Sequence, residues 1–277
     1  MEERGWYKSG EALLDEMRKT RVPQDMLALW YLGQAGIAVK YGEHVLAVDP
    51  YLGRPEPDTR SFPPPFAPEE ADFLDVVLCT HNHSDHLDPY TLRGIAQSSE
   101  KTVFVVPRPC VQAVLDCGIE KERVIGAAAG EEIWLGEVTI CPVPAAHEEL
   151  FRDENGDYEN LGYVMKFPEA VVYHSGDTIE WESMTEELRP FGIDVACLPI
   201  NGSDWKRKRA DIIGNLNSRE AADVADEIGA DLLIPMHFDL FPHNGENPAH
   251  LADYMFTEHF GHKYHVMAPG ERFFYSR

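Results

Sequence analysis

Apolar residues in this chain recur in short blocks rather than long runs. The blocks at residues 28–32, 37–41 and 45–49 are joined by turns containing Gly33, Gly36 and Gly42, which is the punctuation of short β-strands. Further blocks at 75–80, 102–106, 138–143, 162–167, 170–174, 194–199 and 232–236 continue the series. Helical periodicity fills several gaps. Asp88-Pro89 reads as an N-cap with Pro at the first helical position, and Leu92, Ile95 and Ala96 share one face. Asn217 with Glu220 is a capping-box-like start for the stripe Ala221, Val224, Ala225 and Ile228, and Gly229 is its stop. Near the N-terminus, Trp6, Tyr7 and the stripe Leu13, Leu14 and Met17 predict an amphipathic helix in segment 1–27, packed on the core or on a neighbouring subunit. Two strand-rich halves with interspersed helices predict sheets packed together with helices outside. No internal repeat is present, and residues 1–277 read as a single domain. Residues 54–68 hold six prolines. That stretch is too short to separate domains and reads as a stiff surface loop, a candidate lid or wall of a site.

Composition narrows the classes of function. The chain has 277 residues, with 24 Lys and Arg against 48 Asp and Glu, for a formal charge of −24. Such acidity argues against nucleic-acid polymers, whose affinity comes from basic side chains displacing counterions, and against anionic membranes. No apolar run reaches the roughly 18 residues of a membrane span. The opening MEERGWYKSG lacks a basic-then-apolar signal pattern. The five cysteines form no CxxC pair and read as buried, reduced thiols. A cytoplasmic location is the expectation.

One segment stands out among the 12 histidines: Cys79-Thr80-His81-Asn82-His83-Ser84-Asp85-His86-Leu87-Asp88. It places H-x-H-x-D-H directly after an apolar strand. Imidazole and carboxylate are usual ligands for zinc, manganese and iron. In an extended turn His81 and His83 point the same way, and the turn into the Asp88-Pro89 helix aims Asp85 and His86 at a neighbouring position. A polar loop has little reason to crowd these groups without a cation. Further ligands are expected from other strand ends: His147 after 140–146, Asp177 after the strand that ends near His174, and His237 after 232–236.

T-H-N-H-S-D-H-L-D, His147, the S-G-D ending at Asp177 and the P-M-H ending at His237 together resemble the metallo-β-lactamase superfamily. The resemblance runs from about Trp30 to the C-terminus and implies the α/β class with an αββα sandwich of two mixed sheets flanked by helices. Within the superfamily, W-Y-L-G-Q-A-G from Trp30, V-D-P from Val48, the stretch from Tyr173 to Asp177 and I-P-M-H-F-D from Ile234 resemble the L-ascorbate-6-phosphate lactonase branch. The resemblance implies that His81, His83 and His147 hold one metal, that Asp85, His86 and His237 hold a second, and that Asp177 bridges them. Asp49 would orient the ligand loops from behind. One or two divalent ions are implied, manganese or zinc, with iron also compatible. His174 has two readings, as support for Asp177 or as a buried strand histidine bonded to backbone.

Two divalent ions would activate a water for attack on an ester, lactone, amide or phosphodiester. Asp85 and His86 are the candidate catalytic residues, Asp85 as a proton relay to the leaving oxygen. The substrate clue is Lys206-Arg207-Lys208-Arg209, four cations in an acidic chain, just after Asn201-Gly202. It suits a small anionic substrate carrying a phosphate, with Asn201 as a further hydrogen-bonding group. The alternatives are a solvated loop or a patch that pairs with another subunit, and a homo-oligomer is expected. The leading function is a lactonase opening the ring of a phosphorylated sugar acid. The alternatives are a phosphodiesterase acting on a cyclic nucleotide or small phosphodiester, and a metal-binding sensor without catalysis.

Overall fold

The computed structural model of the chain describes residues 5–54 and 59–277. Residues 1–4, the start of the expected N-terminal segment, and 55–58, part of the expected proline-rich loop, lie outside the described residues. In chain order the strands are β1 (Leu27–Gly33), β2 (Gly36–Tyr41), β3 (His44–Val48), β4 (Val76–Leu78), β5 (Val103–Pro107), β6 (Val124–Ala127), β7 (Ile133–Leu135), β8 (Val138–Pro144), β9 (Leu161–Lys166), β10 (Val171–His174), β11 (Val195–Pro199), β12 (Leu232–Met236), β13 (Lys263–Tyr264) and β14 (Arg272–Tyr275). The helices are α1 (Gly10–Lys19), α2 (Pro89–Ser98), α3 (Val111–Leu115), α4 (Met184–Leu188), α5 (Trp205–Arg209), α6 (Ser218–Glu227) and α7 (Ala249–Glu258). Every predicted strand is present. The pattern of apolar blocks did not announce β6, β7, β13 or β14, which are two to four residues long. No helix among the described residues is long and apolar enough to cross a membrane.

The chain divides into two compact units, Met1–Ala127 with Met267–Arg277, and Ala128–Val266. Each contains one seven-stranded mixed sheet. The first has the order β14-β1-β2-β3-β4-β5-β6. Its pairings are antiparallel from β14 to β3 and parallel from β3 to β6. The second has the order β13-β12-β11-β10-β9-β8-β7, antiparallel from β7 to β10 and parallel from β10 to β13. Two mixed sheets with flanking helices are the architecture the sequence resemblance implied.

In the first unit, β1 is buried along its whole length, so it reads as a continuous apolar run rather than an alternating one. Leu13, Leu14 and Met17 of α1 join Trp30, Ala38, Ala47 and Val77 in one core cluster. Lys40, almost fully buried, points its ammonium at the end of that helix and donates to Met17 O at 3.0 Å and Arg18 O at 3.1 Å. Two of the last helical carbonyls thereby gain a donor, while burial lowers the Lys40 pKa. In the second unit α6 contacts β11, β12 and α7. Its start is the predicted capping box: Asn217 Oδ1 accepts from Arg219 N and Glu220 N, and Glu220 Oε2 accepts from Asn217 N. Gly229, at φ +75°, follows its C-terminal end, as the left-handed stop requires.

Candidate metal centre

Parallel neighbours end at the same edge of a sheet, and both units use that edge. In the first, β3 ends at Val48 and Asp49 follows; β4 ends at Leu78 and His81 follows three residues later. The segment folds tightly, with His86 N and Leu87 N both donating to His83 O at 3.0 and 2.7 Å. The predicted α2 start closes it. Asp88 caps the helix by accepting from Tyr90 N and Thr91 N, with Pro89 at its first position.

These turns collect the imidazoles. The His81 ring centroid lies 4.5 Å from that of His83 and 4.1 Å from that of His86. Ligand atoms of His81 and His83, of His81 and His86, and of Asp85 and His86 lie within 4.8 Å of one another. His86 Nε2 is 3.6 Å from Asp85 Oδ2. Asp49 sits behind them, fully buried. It accepts from Thr80 N at 2.8 Å and Thr80 Oγ1 at 2.7 Å, and contacts His86 Nδ1 at 2.7 Å. That contact assigns the His86 proton to Nδ1 and leaves the Nε2 lone pair for a metal. Cys79, between strand and histidines, is fully buried, and burial, reinforced by the Asp49 carboxylate, pushes its thiol pKa well up.

The second unit repeats the plan. His147 follows β8, Asp177 follows β10 and His237 follows β12. All three are buried. Asp177 Oδ2 is 3.8 Å from His147 Nε2 and 3.2 Å from His237 Nε2. Two ligands bound to one ion at about 2.0–2.1 Å at tetrahedral angles lie about 3.3 Å apart, so these separations suit a shared cation. Gly176 supplies φ +62° for the turn that presents Asp177, and His237 itself adopts φ +59°. Left-handed backbone at a non-glycine residue is costly and concentrates at functional positions. Thr178 Oγ1 accepts from Ala146 N at 3.0 Å and Ile179 N donates to Ala146 O at 2.8 Å, tying the His147 loop to the Asp177 loop. His174 is fully buried, and its Nδ1 accepts from Gly176 N at 3.1 Å. It therefore holds the glycine turn that leads into Asp177.

The donor set fits divalent metal: neutral imidazoles and carboxylates, most of them buried, several with the nonligating nitrogen or the adjacent backbone fixed by a second group. All seven predicted residues, His81, His83, Asp85, His86, His147, Asp177 and His237, fall in groups of histidine and aspartate able to hold a metal ion.

Two supporting residues were not singled out from sequence. Gln34 Nε2 donates to Asp85 Oδ2 at 2.9 Å, from a turn in which Gly33 and Gln34 both have positive φ. The signal was a polar residue inside an apolar, glycine-bounded turn. Thr80, the hydroxyl partner of Asp49, had no signal apart from its neighbours.

The predicted substrate residues divide. Residues 205–209 form α5 rather than a loop. Lys206, Lys208 and Arg209 are exposed, with Arg209 over the exposed Trp205 ring at 5.2 Å. Arg207 departs from expectation. It is buried and donates to Asp204, to Asn244 Oδ1 at 2.9 Å and to Gly245 O at 2.8 Å. Asn201 is also buried; its amide donates to Asn244 Oδ1 and accepts from Asn215 Nδ2, each at 3.1 Å. Both residues hold the 201–217 loop together because a buried guanidinium and amide need fixed partners.

Comparison with known proteins agrees with this chemistry. Residues 44–238 match the family described as the beta-lactamase superfamily domain. A UPF0173 metal-dependent hydrolase of Caldivirga maquilingensis is 29% identical over 88% of this chain and 96% of its own length. A probable L-ascorbate-6-phosphate lactonase of Escherichia fergusonii is 24% identical over 86% of this chain and 77% of its own. Among solved structures, a metallo hydrolase of the archaeon Ignicoccus hospitalis superposes with a TM-score of 0.70 at 20% identity, over 91% of this chain and 99% of the other. The family match, the mixed sheets and the histidine–aspartate loops at their strand ends converge: the chain belongs to the metallo-β-lactamase superfamily and is a metal-dependent hydrolase.

Proposed function

We propose that the chain is a lactonase that opens the ring of a phosphorylated sugar-acid lactone of the L-ascorbate 6-phosphate type. The observation that carries this reading is the common edge of β10, β11 and β12. Parallel pairing of these strands aligns the starts of the loops bearing Asp177, α5 and His237. The exposed cations Lys206, Lys208 and Arg209 thus belong to the loop between two ligand-bearing loops, in a chain of net charge −24. That setting favours a small anion over a polyanion. The similarity to a lactonase supports ring opening as the reaction.

In this reading His81, His83, Asp85 and His86 of the first unit and His147, Asp177 and His237 of the second would hold the ions. Manganese, zinc or iron held there would supply Lewis acidity and lower the pKa of water at neutral pH. Asp49 fixes the His86 ring, and Gln34 steadies Asp85. Water adds to the lactone carbonyl carbon, the ring C–O bond breaks, and the proton lost by water reaches the leaving ring oxygen through Asp85. The exposed cations of α5 hold the phosphate.

The test is a panel of phosphorylated and unphosphorylated lactones, with bis(p-nitrophenyl) phosphate beside them, assayed with Mn²⁺ or Zn²⁺. Lactone opening is expected. Replacing Lys206, Lys208 and Arg209 together with Ala should raise KM for the phosphorylated lactone by about 10-fold or more, since charge-assisted hydrogen bonds are worth about 1.5–3 kcal/mol, and leave the unphosphorylated analogue unchanged. Equal effects on both would remove the phosphate anchor. Phosphodiester cleavage without lactone opening would make the chain a phosphodiesterase, and no turnover of either with metal bound would overturn the lactonase reading.

A further inference from the structure

The second unit holds a cavity of about 490 Å³ that none of the seven metal-ligand residues lines. Its volume falls among those of small-molecule sites, about 300–1,000 Å³. Four segments build it. β8 supplies Pro142, Val143 and Pro144, all buried. The turn before β7 brings Glu131 and Glu132, and Gly130 N in that turn donates to Pro142 O at 3.2 Å, which fixes it against β8. α4 brings Glu186 and Glu187, and the chain just after α4 brings Phe191. Tyr158 comes from the hairpin that it closes by pairing with Arg152.

The lining changes character with depth. The β8 residues form an apolar floor, and the pyrrolidine rings within it are rigid, so an apolar guest meets a surface with little freedom to lose. The four carboxylates are exposed and form the rim. No lysine or arginine stands among the described residues that line the cavity, so the lining is net negative; one of the four, Glu132, accepts from Lys166 at 3.2 Å. Both aromatic walls already attract cations of this chain. Lys166 Nζ lies 5.2 Å from the Phe191 ring centroid, and the Arg152 guanidinium carbon lies 3.7 Å from that of Tyr158. Carboxylates beside aromatic rings favour a positive group with an apolar surface.

We propose that this cavity binds a small organic cation with an apolar body, of the arylalkyl-ammonium class. The body rests on Pro142, Val143 and Pro144, and the ammonium lies among the carboxylates of the rim. An apolar anion would be repelled by that rim, and an inorganic cation would gain nothing from the floor. β8 ends three residues before His147, and Tyr158 lies on the hairpin that follows His147. A guest therefore touches the chain on both sides of a metal-ligand residue without touching the ligand itself.

The probe is phenethyltrimethylammonium, whose nitrogen has no lone pair to offer a metal. It is titrated into the full chain by calorimetry, with phenethyl alcohol as its neutral counterpart. The cation should bind about 10-fold or more tightly than the alcohol, and high salt should narrow the difference. The variant carrying Glu186→Gln and Glu187→Gln, two exposed changes that preserve shape, should weaken the cation by about 3–10-fold and leave the alcohol unchanged. Phe191→Ala should weaken both. Equal affinities for cation and alcohol overturn the proposal, as does an unchanged affinity for the cation in the double glutamine variant. Absence of cation binding at millimolar concentration overturns it as well.

Discussion

Asp49 carries more of the site than its place at a strand end announces. It is a fully buried carboxylate at φ +47°, engaged by Thr80 N, Thr80 Oγ1 and His86 Nδ1. Removing it would leave three buried groups without their acceptor and the His86 ring without its tautomer lock. Asp49→Ala should weaken divalent-metal affinity by about 10–100-fold, read by competition with a chromogenic chelator; unchanged affinity would show that His86 orients itself. Tyr51, two residues on, supplies a pH signature. Burial pushes its phenol up to about 12, against the opposing pull of Arg60, whose guanidinium lies 4.6 Å from the ring centroid. A phenol that ionises near 10 when unfolded and near 12 when folded binds its proton more tightly in the folded state. Its contribution is whole below pH 10 and is lost as pH rises through 12. The urea midpoint of the parent should therefore fall more between pH 9.5 and 11 than that of Tyr51→Phe, and parallel falls would refute the assignment. At this scale the metal-ligand types were legible because imidazole and carboxylate carry their chemistry in their names. Gln34 and Thr80 were not, because an amide or a hydroxyl acquires its role only from the neighbour that folding brings to it.

Elements were legible where local chemistry decides them. The α6 start was visible as Asn217 and Glu220, and the reciprocal bonds form. Asn217→Ala should cost about 1 kcal/mol of stability, measured by chemical denaturation, whereas Asn217→Asp should cost much less; equal losses would show that the side chain matters for something other than its oxygen. Short β7 and β13 escaped notice because they lie at sheet edges and owe their pairing to a neighbour rather than to an apolar run of their own. Residues 205–209 escaped for the opposite reason. Four consecutive cations look like a solvated loop, yet Asp204 caps the turn by accepting from Arg207 N, and burial of Arg207 turns the other cations outward.

Across the molecule, composition excluded more than it identified. The five cysteines, read as buried thiols, are all reduced and buried, and burial raises Cys197 to about 12. Native protein should show almost no thiol reactive to Ellman's reagent at pH 8 and five after denaturation; a rapidly labelled native thiol would contradict the burial. The two units were legible only as two strand-rich halves; that each has antiparallel strands giving way to parallel ones had no trace in sequence, since the two halves share a pairing plan without sharing residues. That plan has a temporal corollary. The outermost partner of β1 is β14, whose Tyr275 pairs with Leu27. During vectorial synthesis the first sheet keeps a bare flank until β14 has been translated, more than 200 residues after β1, a long wait for a strand whose backbone invites any stray neighbour. The second unit, made from contiguous residues, has no such delay and is able to complete its own sheet while the first is still waiting.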